Sequence, residues 1–203
     1  MLQVGAGETE LIESTPSVSP PILGGNSFLF SPKSMIERSA KYLAGGKIVA
    51  IKGIGGFHLA CDATNQQAVE RLRLRKGRGN KPLALMVPDL QSAEELAFLS
   101  PTEQAHLQSV QAPILLVESR PGTELRRWIA PDTPRLGIML PYSPLHHLLC
   151  ETFGHPLVMT SGNLSEEPLA YEQDDALARL GNIADVFLLH DRPIARPCDD
   201  SVG

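Results

Sequence analysis

Six basic side chains crowd the stretch Arg71-Leu72-Arg73-Leu74-Arg75-Lys76-Gly77-Arg78-Gly79-Asn80-Lys81-Pro82, in a 203-residue chain with 18 lysines and arginines and a net charge of -5. Arg71 and Arg75 stand one helical turn apart and read as a solvated helix face. Lys76, Arg78 and Lys81 come past the expected helix end, spaced by glycines. There they can converge on a polyanion such as the phosphates of a nucleotide, with Pro82 fixing the exit into the next strand. The plainer alternative is a basic surface loop.

Three other stretches carry residues of chemical interest. In Lys52-Gly53-Ile54-Gly55-Gly56-Phe57-His58-Leu59, the glycines bare backbone amides that a phosphate or carboxylate can approach closely. Lys52 at a strand end can neutralise a carboxylate-like group, which places Lys52, Gly55 and Gly56 at the acyl end of a pocket with His58 beside them. The stretch is neither a Walker loop nor a dinucleotide fingerprint. A tight turn with Lys52 exposed and His58 half-buried is the other reading. In Thr160-Ser161-Gly162-Asn163-Leu164-Ser165-Glu166-Glu167-Pro168, Ser161 and Asn163 follow an apolar strand, where open α/β sheets bind ligands, and both can donate to phosphate oxygens. A polar turn capped by Ser165 accounts for the same residues. From His190 to Val202, Arg192, Arg196 and Ser201 are candidates for phosphate contacts. Asp199 and Asp200 either pair with the arginines or hold a magnesium ion that bridges nucleotide phosphates. His146 and His147 are neighbours on a helix and point in different directions, so a core or surface role is the simpler one. Cys198 has no base near it in sequence to activate it as a nucleophile.

These residues need a frame to hold them. With 42% hydrophobic and 20% charged residues, the chain can bury one substantial core. Residues 1–27 are rich in Gly, Ser, Thr and Pro and read as a flexible tail or linker, leaving 28–203 as the folded domain. Ser31-Pro32 starts a helix that Gly45-Gly46 ends. Strand-like runs follow at Lys47–Lys52, Leu83–Val87, Ile114–Val117, Leu136–Leu140, Leu157–Thr160 and Val186–Leu189. Between them lie helical patterns at Gln66–Arg75, within Gln91–Gln108, at Leu145–Glu151 and at Tyr171–Leu180. An α/β domain with a twisted, mixed central sheet and flanking helices is expected; the alternation gives the layers and not the strand directions. Three widely spaced cysteines, Cys61, Cys150 and Cys198, suit reduced thiols. With no long apolar run and no basic leader, a soluble cytoplasmic protein is expected. The acidic balance disfavours nucleic acid as the main partner.

Taken together, KGIGGFHLACDATN (52–65), LRLRKGRGNKP (72–82), GIMLPYSPLHHLL (137–149), TSGNLSEEP (160–168) and HDRPIARPCDDSV (190–202) resemble the YrdC-like family, in the version found inside the carbamoyltransferase HypF of hydrogenase maturation. In that family Lys76 and Arg78 match a Lys-x-Arg pair, and Ser161 and Asn163 match a Ser-x-Asn. Met139 stands where threonine-using members carry an Arg, a departure that fits the HypF branch. The resemblance implies a deep basic cleft for ATP and Mg2+, and attack of carbamate, released from carbamoyl phosphate, on the α-phosphorus of ATP. It also implies onward transfer of the carbamoyl group to a HypE-type carrier through modules absent from this sequence. Three other functions compete: threonylcarbamoyl-adenylate synthesis, RNA binding through the Arg71–Lys81 cluster, and a structural remnant.

Overall fold

The computed structural model describes residues 22–23, 31–165, 167–198 and 200–203. In chain order the elements are β1 (Ile22–Leu23), α1 (Pro32–Ala44), β2 (Val49–Lys52), β3 (Phe57–Asp62), α2 (Gln66–Lys76), β4 (Ala84–Met86), α3 (Leu90–Leu96) and α4 (Pro101–Leu107). They continue with β5 (Leu115–Glu118), α5 (Arg126–Ile129), β6 (Arg135–Met139), α6 (Pro144–Phe153), β7 (Leu157–Ser161), α7 (Gln173–Leu180) and β8 (Val186–Leu188). The strands form one sheet in the order β1-β8-β2-β3-β7-β4-β6-β5. β8 runs parallel to β1 and β2, and β4 parallel to β6; the pairs β2/β3, β3/β7, β4/β7 and β5/β6 are antiparallel. The sheet is therefore mixed, in agreement with the expected fold class.

Both faces of the sheet are covered, because side chains alternate along each strand. Ala50, Phe57, Leu59, Val158 and Phe187 pack with α2, α5 and α7 on one face. Val49, Ile51, Ala60, Met159 and Leu188 pack with α1 and α6 on the other. Met139 is fully buried in this second layer.

Three features differ from the sequence expectation. The expected turn after Lys52 is there, but it leads into a strand, β3, that the sequence pattern does not reveal. β2 and β3 form a hairpin whose turn closes with Gly53 N–H donating to Gly56 O at 2.8 Å. All six residues of β3 are buried, so the strand lacks the apolar alternation that would reveal it. Second, the Gln91–Gln108 stretch is two helices, because Ser100 and Glu103 form a capping box with Pro101 at the first helical position. Third, Ile22 and Leu23, inside the stretch read as a tail, pair with Phe187 and Leu188 of β8 at the sheet edge. Among the described residues no helix is long and apolar enough to cross a membrane.

Candidate active site

α2 ends where Gly77 adopts a left-handed φ of 65°, a conformation open to glycine at little cost. That ending aims Lys76 back under the end of β7. Its side chain is 1% exposed, and its Nζ donates to Ser161 O at 2.7 Å, Asn163 O at 2.6 Å and Asn163 Oδ1 at 2.7 Å. Ser161 Oγ donates to the same Oδ1 at 2.8 Å, and Asn163 Nδ2 donates to Glu167 O at 2.6 Å. Ser165 Oγ in turn caps the open carbonyls of Lys76 and Gly77 at 3.1 and 3.0 Å. Two segments some 85 residues apart in sequence are thus held as one unit. Arg78 leaves the same turn half-buried, with Nη1 3.4 Å from Thr160 Oγ1 and Nη2 donating to Pro82 O at 2.7 Å. Among the described residues its Nε is buried without a hydrogen-bond partner, and burial lowers the Arg78 pKa. Of the expected phosphate-binding trio, Lys76 and Arg78 therefore come together with Ser161 and Asn163, while Lys81 lies exposed on the rim.

The other basic residues of the cluster serve the fold. Arg71 donates to Gly46 O. Arg73 donates to the carbonyls of Gly79, Lys81, Trp128 and Ile129, which ties the loop after α2 to α5. Arg75 pairs with Asp185 at 2.8 Å and with Ile183 O at 2.9 Å. The solvated face expected for Arg71 and Arg75 is a set of tertiary ties.

His58 sits directly opposite Ser161 in the β3/β7 register, next to a group that sequence reasoning did not assemble. Its Nε2 lies 3.1 Å from Asp200 Oδ2, and Tyr142 Oη donates to Asp200 Oδ1 at 3.2 Å. Burial raises the Asp200 pKa, but the hydrogen bonds from His58 and Tyr142 and the charges of His58 and His146 outweigh it, and the net shift is downward. His146 completes the cluster, its ring centroid 4.7 Å from Tyr142 and 5.7 Å from His58. It is fully buried, and among the described residues neither ring nitrogen has a hydrogen-bond partner. Only the return of the C-terminal segment over β3 builds this group, so no local spacing announces it. Each carboxylate oxygen of Asp200, expected to help hold magnesium, has a protein partner, and Asp199 lies outside the described residues. Among the described residues no group of three or more His, Cys, Asp or Glu could hold a metal ion.

Lys52, at the end of β2, is 6% exposed. Its Nζ donates to His190 O at 3.0 Å and, at the limit of contact, to Gln173 Oε1 at 3.5 Å. It lines a cleft of about 200 Å³ together with Gly53, Ile54, the start of α6, His190 and Arg192. Gly55 and Gly56 do not line it. A Cβ on Gly56 would run into Leu169, and one on Gly55 would lie 3.0 Å from Cys198 Cβ, so both glycines are required by close packing of the protein on itself. Cys198 N–H donates to Gly55 O at 2.9 Å. Arg196 and Ser201 are exposed on the C-terminal segment, with Ser201 O accepting from Ile114 N–H at 2.8 Å. Burial pushes the Cys150 thiol up to about 12 and Cys61 higher still, so both stay protonated.

A family model described as "Telomere recombination" (Sua5_yciO_yrdC) matches residues 41–203. The carbamoyltransferase HypF of Synechocystis is 54% identical over 157 residues, covering 77% of this chain and 20% of that protein. The threonylcarbamoyl-AMP synthase of Vibrio vulnificus is 29% identical over 167 residues, covering 76% of this chain and 86% of that one. The crystal structure of full-length HypF in the phosphate- and nucleotide-bound form superposes with a TM-score of 0.80 at 48% identity, covering 86% of this chain and 28% of that chain. The chain thus spans about a fifth of the Synechocystis relative's length. With the mixed sheet, the Lys76–Asn163 junction and this match over residues 41–203, the chain belongs to the Sua5–YciO–YrdC family, and it is the YrdC-like region of HypF carbamoyltransferases that it resembles.

Proposed function

We propose that this chain carries out the nucleotide-activating step of a HypF-type carbamoyltransferase. Carbamate attacks the α-phosphorus of ATP, the new C–O–P linkage forms, the bond to the β-phosphate oxygen breaks, and pyrophosphate leaves with the electron pair. The observation that carries this reading is the junction of Lys76, Arg78, Ser161 and Asn163. Negative charge grows on the phosphate oxygens during the attack, so preorganised donors supply most of the catalysis and no covalent nucleophile is needed. Lys76 fixes the 161–163 turn, while Arg78 and the Ser161 and Asn163 end of β7 face the phosphates. Magnesium, when it accompanies ATP, neutralises phosphate charge. In the longer relatives the carbamoyl group would pass on to a HypE-type carrier. The nucleotide-bound state of a 48%-identical structure supports the same reading.

RNA binding has less support, because Arg71, Arg73 and Arg75 are committed to protein acceptors. Arg78→Gln tests the phosphate end. Its exposed face should contribute a charge-assisted contact, so ATP affinity should fall by about 1.5–3 kcal/mol while the melting temperature holds within a few degrees. Unchanged affinity by calorimetric titration would remove Arg78 from the site. Threonine plus bicarbonate in place of carbamate separates the threonylcarbamoyl alternative. ATP consumption that depends on threonine would favour that synthase over the carbamate reading.

A further inference from the structure

We infer that residues 190–203 form a latch that opens and closes over the hollow of the sheet, with Asp200 as its catch. The purpose assigned to it, covering the end of β7 where Ser161 and Asn163 lie, rests on the proposed function. The segment leaves β8 and reaches the opposite edge of the sheet, beside β5. On the way Cys198 N–H donates to Gly55 O at 2.9 Å, and Asp200 meets His58 of β3 and Tyr142. At the far edge Ile114 N–H donates to Ser201 O at 2.8 Å, Gly203 N–H to Ile114 O at 3.0 Å and Leu116 N–H to Gly203 O at 3.1 Å. Four strand spacings, about 19 Å on a flat sheet, separate β3 from β5. Yet Asp200 on the β3 side and Ser201 on the β5 side are consecutive residues, with Cα atoms about 3.8 Å apart. The Asp200 and His58 side chains make up part of the gap and curling of the sheet the rest. The segment thus bridges the concave side above β7, β4 and β6.

Its hold is polar. None of its described residues is buried, so letting go withdraws no side chain from either apolar core. Backbone bonds to Gly55 and β5 exchange for bonds to water at little net cost, and segments with few buried apolar contacts open below the global unfolding free energy. The catch is different. Asp200 Oδ2 and Oδ1 lie 3.1 and 3.2 Å from His58 Nε2 and Tyr142 Oη, and the His58 side chain is 6% exposed. A carboxylate bonded at so dry a place is a stronger tie than the backbone bonds on either side of it. His146, edge-on to Tyr142 with ring centroids 4.7 Å apart, backs the phenol. The latch and the Lys76–Asn163 junction also grip the same turn. Cys198 packs on Gly55 and Leu169 on the next residue, Gly56. The loop that carries Leu169 is tied to β3 at both ends, by Gly162 N–H donating to Phe57 O at 2.6 Å and Phe57 N–H to Ala170 O at 2.8 Å. A nucleotide that orders the 161–163 turn thereby steadies the surface on which the latch closes.

Amide hydrogen exchange read by NMR on the 203-residue chain tests this. Without ligand, the Cys198, Ile114 and Leu116 amides should exchange together and faster than those of the β2/β3 ladder. Tyr142→Phe keeps the ring and removes one catch bond, and should speed these three amides by about tenfold while the ladder stays unchanged. Asp200→Asn, which keeps the shape and removes the charge, should act in the same direction. Saturating ATP should slow them by about fivefold or more in the parent protein. Latch amides that exchange no faster than the ladder, or that ignore both substitutions, would overturn the latch. ATP that binds by calorimetry and leaves them unchanged would overturn its role as a cover. ATP that does not bind would count against the proposed function alone, and the comparison without ligand still decides the latch.

Discussion

Lys76→Met should lower the unfolding free energy by about 3 kcal/mol and abolish nucleotide binding with it. The lysine is 1% exposed and donates to three acceptors on the 161–163 turn. Methionine fills the space but donates nothing. Among the described residues, Asn163 O then loses its donor, Ser161 O is left with the Asn163 amide, and Asn163 Oδ1 is left with the Ser161 hydroxyl. Each charge-assisted bond of this kind contributes about 1.5–3 kcal/mol. Denaturant unfolding and ATP titration measure the two losses separately. A variant as stable as the parent would show that Lys76 does not hold the turn. One that is destabilised but binds ATP normally would show that the turn does not shape the nucleotide site.

Acid should destabilise the protein through His146. Burial, with a smaller push from His58, holds its imidazole down at about 3. In the unfolded chain the same group takes up a proton near its ordinary value of about 6.5. Between these values the unfolded state binds more protons, so the stability fully present above about pH 6.5 is lost as pH falls toward 3. At pH 4.5, about two units below the unfolded value, the loss from this one residue is roughly 3 kcal/mol. Asp200, the carboxylate of the cluster, has its pKa lowered below the usual 3.8 by His58 and Tyr142, so its own contribution fades at still lower pH. His146→Leu removes the titrating ring and its two unpartnered nitrogens. Urea unfolding at pH 7.5 and 4.5 should show a difference smaller by about 2–3 kcal/mol in the variant. The same pH dependence in both proteins would place the acid sensitivity elsewhere.

Where the chain carries its own local signals, sequence and structure agree. Ser31 caps α1 by accepting from Ser34 N–H at 3.2 Å, and the helix runs over Pro32–Ala44 as the Ser-Pro start and Gly-Gly end require. α2 extends one residue past the expected Arg75 to Lys76, and that one residue turns an exposed cation into a buried one. The meeting of Lys76 with Ser161 and Asn163, and of Arg78 with Thr160, is legible only through the order of the motifs, since nothing local links positions 85 residues apart. Tertiary ties decide what remained hidden. Arg73 looks like a surface charge in sequence, and it becomes structural because four backbone carbonyls happen to converge on it. Gly55 and Gly56 invite a ligand in sequence and instead admit Cys198 and Leu169. Tyr142 and His146 acquire meaning only when Asp200 returns to them from the far end of the chain.

The most direct test of the adenylation step is exchange of labelled pyrophosphate into ATP by the 203-residue chain, in the presence of carbamoyl phosphate and a separate acylphosphatase that releases carbamate. The proposed reaction requires exchange that appears only when carbamoyl phosphate, the phosphatase and ATP are all supplied, and that disappears in Arg78→Gln. Saturable ATP binding with no exchange under these conditions, or exchange that proceeds equally without carbamoyl phosphate, would contradict it.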